Sequence, residues 1–446
     1  MKDLTKGNPL KVILKFAIPL YIGQLFQLCY GVIDTRVIGS VLGEASLAAV
    51  GSTTALSDLL IEFLNGIICG FGIIVATYFG AKDEKKLRKA IGGTIAMGVI
   101  ITLIISGICL LFLPQILGVL NVEEELVTDA TAYIQTIIAG LIFIALYNIC
   151  AAILRAIGDS FTPLIFLIIS NVFNVIMDYA FVMFMGMGTR GAALATVLSQ
   201  AISVVLCLLT IKKKYPSLSL KREDFVPEKE MYRQLIPTGL SMGFMLSFVM
   251  LGSLALQTSI NTFGTNTIVA HTAARKITII FLTPFFVLGT ALATYCGQNL
   301  GAGEHGRIRQ GIKSSVLLSF IWCGIVILLI FTLSPVFIRF VTGSAEKEIL
   351  QTATLYLKVN GCLYFLPAMI CIFRNSMQGF GDTKTPLVSS FIELAGKVLI
   401  AWFLAPKIGY WGIIISEPIV WAIMIIPLFI GLKRFGDGYK EGKLAG

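Results

Sequence analysis

Twelve apolar segments, each long enough to cross a bilayer, constrain this chain more than any other feature of its sequence. A membrane-spanning helix needs about 20 residues, since each adds about 1.5 Å and the hydrocarbon core is about 30 Å thick. Hydrophobic residues make up 56% of the chain and charged residues 13%, which excludes an ordinary soluble domain. The sequence predicts an all-α polytopic membrane protein with twelve transmembrane helices, at residues 12–38, 52–78, 91–113, 131–154, 163–186, 191–211, 235–260, 269–297, 314–334, 351–378, 386–405 and 411–432.

Lysines and arginines are concentrated in every second connection between these segments. They occur in the ranges Lys2–Lys11, Lys82–Lys89, Lys212–Arg233, Arg307–Lys313 and Lys433–Lys443. By the positive-inside rule, both termini are predicted to be cytoplasmic. The net charge of +10 then follows from topology, so we expect a lipid bilayer and no nucleic acid as the partner of this basic surface. The predicted location is the plasma membrane of a bacterial cell, with the chain as a monomer.

The chain contains an internal repeat. Residues 157–163 (Ile-Gly-Asp-Ser-Phe-Thr-Pro) match residues 380–386 (Phe-Gly-Asp-Thr-Lys-Thr-Pro) at an offset of 223, and Ile18-Pro19 matches Ile236-Pro237. Each half has six spans, so both halves begin on the cytoplasmic side and are related by a pseudo-twofold axis along the membrane normal. The predicted organisation is a lobe at 1–211, a linker loop at 212–234, a second lobe at 235–432 and a cytoplasmic tail at 433–446.

A carboxylate inside the first span is the first candidate functional group. Asp34 lies in a segment that Pro19 is expected to kink, and burying a charge there costs about 2.5–3.5 kcal/mol. It is either an interfacial residue beside Arg36 or a titratable, cation-binding group whose state bends a helix hinged at Pro19. A second intramembrane carboxylate, Asp178, has Asn174 on the same helix face, one turn away.

Two carboxylates without a local cation cannot both stay ionised in a low dielectric, so one takes up a proton or a cation enters. Na⁺, a hard cation, would favour these oxygens. The neutral polar residues expected around Asp34 and Asp178 are Tyr133, Asn174 and Thr196.

The second half carries a different polar cluster. Its predicted members are Tyr356, Glu393, Lys397 and Glu417, in which Lys397 acts as a tethered cation for one or both acids. This trio of charges is either functional or a structural buried ion pair. A third group, Asp58 and Glu62 on the second span, could pair with Arg275 or Lys276, or could point at headgroups.

Features that would indicate an enzyme are weak. Residues 379–382 spell GxGD, as in an intramembrane aspartyl protease, but Asp382 is predicted in a short loop and better explained as a helix cap after a left-handed glycine. The nine cysteines have no metal-binding spacing, and Gly297–Gly301 is interpreted as a tight loop. We therefore predict no enzyme, no metal site and no cofactor.

Several of these motifs together resemble the multidrug and toxic compound extrusion (MATE) family over nearly the whole chain. The resemblance is carried by Asp34 within Val32–Gly39, by Leu154–Pro163 and its second-half copy, and by Val269–His271 and Gly297–Gly303. It implies a two-lobed antiporter that exports amphipathic organic cations in exchange for H⁺ or Na⁺ by alternating access. It also implies a bent first helix and a cation-coupling site matching Asp34, Tyr133, Asn174, Asp178 and Thr196.

The chain departs from a sodium-coupled branch of the family, which has acids in spans seven and ten, because neither span carries one here before Asp382. A cleft between the halves is the expected substrate cavity, with walls from Gln24, Gln27, Tyr30, Met245, Phe248 and Gln257. An alternative is a flippase for lipid-linked saccharides, a relative in the same superfamily. Such a protein would need basic residues for pyrophosphate, which are scarce in these walls.

Overall fold

The computed structural model describes residues 3–120, 122–226 and 228–440, and this part of the chain is helical with turns and no strand. Pro227 of the predicted linker, residues 441–446 of the predicted tail, and the basic residues Lys2 and Lys443 lie outside the described residues. The α-helices are α1 Pro9–Leu42, α2 Glu44–Gly80, α3 Glu84–Leu111, α4 Leu113–Val119, α5 Val127–Ala156, α6 Phe161–Asp178, α7 Gly188–Lys214, α8 Lys229–Ile260, α9 Thr265–Gly301, α10 His305–Thr342, α11 Lys347–Gly361, α12 Phe365–Gly379, α13 Lys384–Leu399, α14 Ala405–Ile408 and α15 Tyr410–Lys440.

Short helices of other types connect some of these elements. Two π-helical segments, Tyr179–Phe184 and Ile400–Leu404, follow α6 and α13 directly. Two 3₁₀ turns, Pro216–Leu218 and Arg222–Phe225, lie in the linker.

The predicted spans each have a counterpart in the structure. In the described ranges, eleven helical segments are long and apolar enough to cross a membrane, and α11 with α12 forms one further span. The tenth span is therefore not the continuous helix expected at residues 351–378, because α11 and α12 meet at an angle of 52°. Gly361 ends α11 and Pro367 lies in the first turn of α12, so few backbone hydrogen bonds oppose a bend there.

The chain divides into two compact units. One contains Ile18–Gly243, and the other contains Leu4–Ala17 and the chain from Phe244 onward. These divisions fall inside α1 and α8, close to Pro19 and Pro237, and not in the linker where the predicted lobes meet. A proline inside a helix removes one hydrogen bond, so both divisions lie near locally weakened backbone.

Small residues set the packing inside the first unit. Its core is built around α5, which packs on α2, α3 and α7. Gly140 of α5 faces Val197 of α7 so closely that even a methyl group would overlap the valine side chain. The short distance brings α5 close to α7, on which α6 also packs.

In the second unit, α9 is the central helix and packs on α10, α11 and α12. Gln298 and Asn299, expected in a tight loop, instead belong to the last turn of α9 and are fully buried. Gln298 Oε1 accepts a hydrogen bond from the Leu4 amide at 2.9 Å, and Arg307 Nη1 donates to the Gly7 carbonyl at 2.8 Å. Gln298 and Arg307 therefore hold the segment that leads into α1, through Leu4 and Gly7.

The repeated loop motif has the predicted structure. Gly158 and Gly381 have φ values of 83° and 94°, in the left-handed region that favours glycine. Asp159 Oδ1 accepts from the Thr162 amide at 3.0 Å, and Asp382 Oδ1 accepts from the Thr385 amide at 3.0 Å. Both aspartates therefore cap the helix that follows, and the protease interpretation of Asp382 has no geometric support.

The two caps differ in their surroundings. Asp159 Oδ2 also accepts from Thr162 Oγ1 at 2.6 Å, Tyr215 OH at 2.5 Å and Lys214 Nζ at 2.9 Å. Burial acts to raise the pKa of Asp159, but these hydrogen bonds outweigh it and hold the pKa well below its usual range. The additional bonds tie the end of α7 to the start of α6.

We expect Asp159→Asn to lower the free energy of unfolding by about 1–2 kcal/mol more than Asp382→Asn, since it weakens three additional charge-assisted bonds, one to a half-exposed lysine. A carboxylate with a depressed pKa stabilises the fold above its unfolded pKa and loses that effect as the pH falls through the folded value. The difference in unfolding free energy between the two variants should therefore reach its full value above a pH of about 4 and decrease in more acidic solution. Thermal unfolding of the two purified variants against pH measures it, and equal stabilities at neutral pH would contradict it.

Candidate functional site

The first unit contains a polar cluster formed by α1, α5, α6 and α7. Asn174 and Asp178 lie one turn apart on α6 and are 1% and 0% exposed. Thr196 of α7 faces Asn174. Asp34 of α1 belongs to the same cluster and lies within hydrogen-bonding range of Asp178. The structure thus brings together residues that are up to 162 positions apart in the sequence.

The amide of Asn174 organises this cluster. In the orientation that satisfies both of its polar atoms, Nδ2 donates to Asp178 Oδ2 at 2.9 Å and to Tyr30 OH at 2.6 Å, and Oδ1 accepts from Thr196 Oγ1 at 3.2 Å. Tyr30 in turn lies within hydrogen-bonding range of Asp34. Tyr30, expected in the substrate cavity, therefore contacts the carboxylate pair.

Asp178 Oδ1 is buried, and no hydrogen-bond donor among the described residues reaches it. In the same part of the chain, no lysine, arginine or histidine forms an ion pair with Asp34 or Asp178. Two carboxylates in contact without a protein cation must share a proton or hold an external cation. Tyr133 lies within electrostatic range of both carboxylates and packs beside Ile38, Val182 and Ala192.

The backbone changes its helix type directly after Asp178. The π-helical segment Tyr179–Phe184 continues from α6, and Met185–Gly188 then includes two glycines with positive φ. Single π turns in membrane helices are frequent at functional sites because they re-aim the adjacent side chains. The second unit has a π-helical segment at the corresponding place, Ile400–Leu404, three residues after Lys397.

The second-unit cluster contains all four predicted residues. Lys397 Nζ lies 2.9 Å from Glu393 Oε1 and 3.9 Å from Glu417 Oε1. Tyr356 OH donates to Glu417 Oε2 at 3.1 Å. Two arginines, which sequence reasoning did not place here, complete it: Arg374 Nη2 lies 3.0 Å from Glu393 Oε2, and Arg275 Nη1 lies 2.5 Å from Glu417 Oε1.

Arg275, suggested as one possible partner of Asp58 or Glu62, bonds to Glu417 within the second unit. One sequence signal for Arg374 was available. It lies inside the predicted tenth span, where an arginine needs a carboxylate partner.

The predicted cavity residues are distributed unevenly over the two units. Gln24 and Gln27 are exposed on α1 of the first unit. In the second unit, Phe248 packs against Phe244 and Phe391, and Gln257 Nε2 bonds to Asn261. Met245 does not belong to an accessible wall, because it is 4% exposed and its sulfur accepts a hydrogen bond from Gln378.

The MatE family model matches residues 19–180 and, a second time, residues 241–403. The chain belongs to the MatE family. This confirms the resemblance identified from the motifs, and the two matches are offset by 222 residues at their start, as the internal repeat requires.

Two bacterial MatE relatives align over most of their length. The probable multidrug resistance protein YoeA of Bacillus subtilis is 28% identical over 431 residues, covering 94% of this chain and 92% of the relative. The probable multidrug resistance protein NorM of Thermotoga maritima is 25% identical and covers 95% of this chain and 92% of the relative.

Solved structures of MatE transporters share the fold. A crystal structure of MATE in the bent conformation is 21% identical, with a TM-score of 0.89 and 98% of each chain covered. An outward-facing multidrug resistance MATE family transporter is 22% identical, with the same TM-score and coverage. The predicted fold class, an all-α membrane protein of twelve spans in two six-helix lobes, is confirmed.

We expect Glu393→Gln to be far more destabilising than Lys397→Met. The first change leaves Arg374 and Lys397 buried without their shared carboxylate, which costs about 3–5 kcal/mol, whereas the second leaves each acid with its own guanidinium. Adding Lys397→Met to Glu393→Gln should restore part of the loss. Thermal unfolding of the purified variants measures this series, and equal melting temperatures for the two single variants would show that the charges are solvated.

Proposed function

We propose that this protein is a secondary transporter that exports small amphipathic organic cations in exchange for H⁺ or Na⁺, through alternating access of its two lobes. The observation that carries the proposal is the contact between Asp34 and Asp178, two intramembrane carboxylates without a protein counter-ion in the described chain. The names of the bacterial relatives, which describe multidrug resistance proteins, support the direction of transport.

The mechanism follows from the charge of this pair. Asp178 is held on α6 by Asn174, whereas Asp34 lies on α1, downstream of Pro19. When the shared cation leaves, two negative charges repel each other across the α1–α6 contact, and the repulsion is strong in a medium of low dielectric. Pro19 weakens the helix backbone, so α1 is the element that can yield. Loading and release of the cation thereby bias α1 between two positions.

Both coupling ions remain chemically reasonable. A proton suits two carboxylates within hydrogen-bonding range, and Asn174 and Tyr30 would fix its position. Na⁺ prefers several oxygen ligands, and the cluster offers the carboxylates together with Tyr30 and Thr196. Ethidium efflux from membrane vesicles, under an imposed pH gradient or an imposed Na⁺ gradient, distinguishes the two. Transport under neither gradient would contradict the proposal.

Asp34→Asn and Asp178→Asn are each expected to reduce gradient-driven ethidium transport to the level of protein-free vesicles. Each change removes one charge of the shared pair and with it the exchangeable cation, while the isosteric amide preserves packing. Glu124→Gln, at an exposed residue of an α4–α5 turn, is the control for loss of a carboxylate and should transport normally. Wild-type drug tolerance in cells that express either aspartate variant would overturn this mechanism.

A further inference from the structure

The two carboxylates of the second-unit cluster are already fully bonded. Glu393 contacts Lys397 through Oε1 and Arg374 through Oε2. Glu417 contacts Arg275 through Oε1 and Tyr356 through Oε2. Each acid therefore has a guanidinium of its own, and Lys397 lies between the two pairs.

The charges of this cluster do not cancel. Arg275, Arg374 and Lys397 bring three positive charges against two negative ones, which leaves a surplus of one positive charge. Water solvates this surplus poorly, because four members of the cluster are less than 10% exposed: Glu393, Glu417, Arg374 and Lys397. Glu304 and Asp382 lie in connections between helices, and Glu348, in the first turn of α11, accepts a hydrogen bond from Asn266 and not from the cluster.

Arg374 shows where a compensating group would bind. The Arg374 side chain is 8% exposed, and its buried Nε–H has no acceptor among the described residues. An unbonded guanidinium N–H in such a place carries a desolvation cost that a bound acceptor would remove. Ser253 Oγ lies 3.5 Å from Lys397 Nζ and adds a hydroxyl group to the same cluster.

We propose that the second unit binds one monovalent anion, a halide or a small carboxylate, at Arg374 Nε beside Lys397. The anion would neutralise the surplus charge and accept a hydrogen bond from the free N–H. The expected ligand is therefore a compact hydrogen-bond acceptor with a single negative charge. The site is independent of the Asp34–Asp178 pair, because it uses the surplus cation of one unit and not the unpaired acids of the other. It gives the second unit a role in anion sensing or anion recognition.

Thermal unfolding of the purified full-length protein in detergent tests this site, at constant ionic strength. Sodium chloride and sodium acetate are titrated against the bulky sulfonate MES. A ligand that binds only the folded state raises the melting temperature in a saturable way, here by about 2–4 °C. A response to chloride alone identifies a halide site, and a response to acetate identifies a carboxylate site.

The variants connect this response to the cluster. Arg374→Gln removes the free N–H and the surplus charge, so the anion response should disappear. Lys397→Met removes the surplus but keeps Nε, and should raise the half-saturating anion concentration about tenfold, equivalent to about 1.4 kcal/mol. If Arg374→Gln does not fold, the half-saturating anion concentration of Lys397→Met tests the site in its place. Arg339→Gln, at an exposed arginine of α10, should keep the full response.

Two results would overturn the proposal. One is an identical melting temperature of the wild-type protein in chloride, acetate and MES. The other is an anion response that is the same in Arg374→Gln, Lys397→Met and Arg339→Gln, since that would place the anion elsewhere on the protein. Ethidium transport does not enter either readout, so the outcome does not depend on the proposed function.

Discussion

An ionised group inside a membrane must be neutralised, and this requirement accounts for the polar interior of both units. In the first unit, Asp34 and Asp178 contact each other without a cation from the described residues, and the proposed function assigns their neutralisation to an ion from outside. In the second unit, Glu393 and Glu417 bond to Arg374 of α12, to Arg275 of α9 and to Lys397 of α13. Under the proposed function, an exchangeable cation meets this requirement in the first unit, whereas in the second unit each carboxylate has a guanidinium of its own.

The internal repeat makes this difference informative. Both halves match the same family model, and both contain the glycine–aspartate cap. In both, a π-helical segment directly follows the helix that this cap begins, which is α6 in the first half and α13 in the second. The backbone plan is thus preserved while the charges have diverged. Asn174 of the first half corresponds in sequence to Lys397 of the second, so a position that carries a neutral amide beside Asp178 in one half carries an ammonium group beside Glu393 in the other.

Hydropathy and the repeat were sufficient to predict the twelve spans, because insertion in a bilayer depends on length and apolar content, which a single sequence shows directly. The loop motif was also predictable, since a positive φ and a free amide at a helix start require glycine and a capping side chain. The two π-helical segments were not, because they have no strong local signal, and the bend between α11 and α12 was missed although Gly361 and Pro367 mark its place.

The members of the polar clusters were partly predictable. Intramembrane charge pointed to Asp34, Asp178, Glu393, Lys397 and Glu417. It paired Lys397 with Glu393 and Glu417, but it did not connect Arg275 with Glu417 and did not include Arg374. Tyr30 and Met245 show the same limit, since helical periodicity gives the direction of a side chain but not whether a neighbouring helix covers it. Partner choice between helices distant in sequence depends on the tertiary fold.

The proposed exchange requires that the Asp34–Asp178 pair holds one cation and that substrate binding releases it. The most direct measurement is the number of protons, or of radioactive Na⁺ ions, released when ethidium binds to the purified protein in weakly buffered detergent solution. We expect release of about one cation per dye bound by the wild-type protein. We expect no release from variants in which either aspartate is replaced by asparagine. Release at the wild-type ratio from both of those variants would contradict this mechanism and place the exchangeable cation at another group.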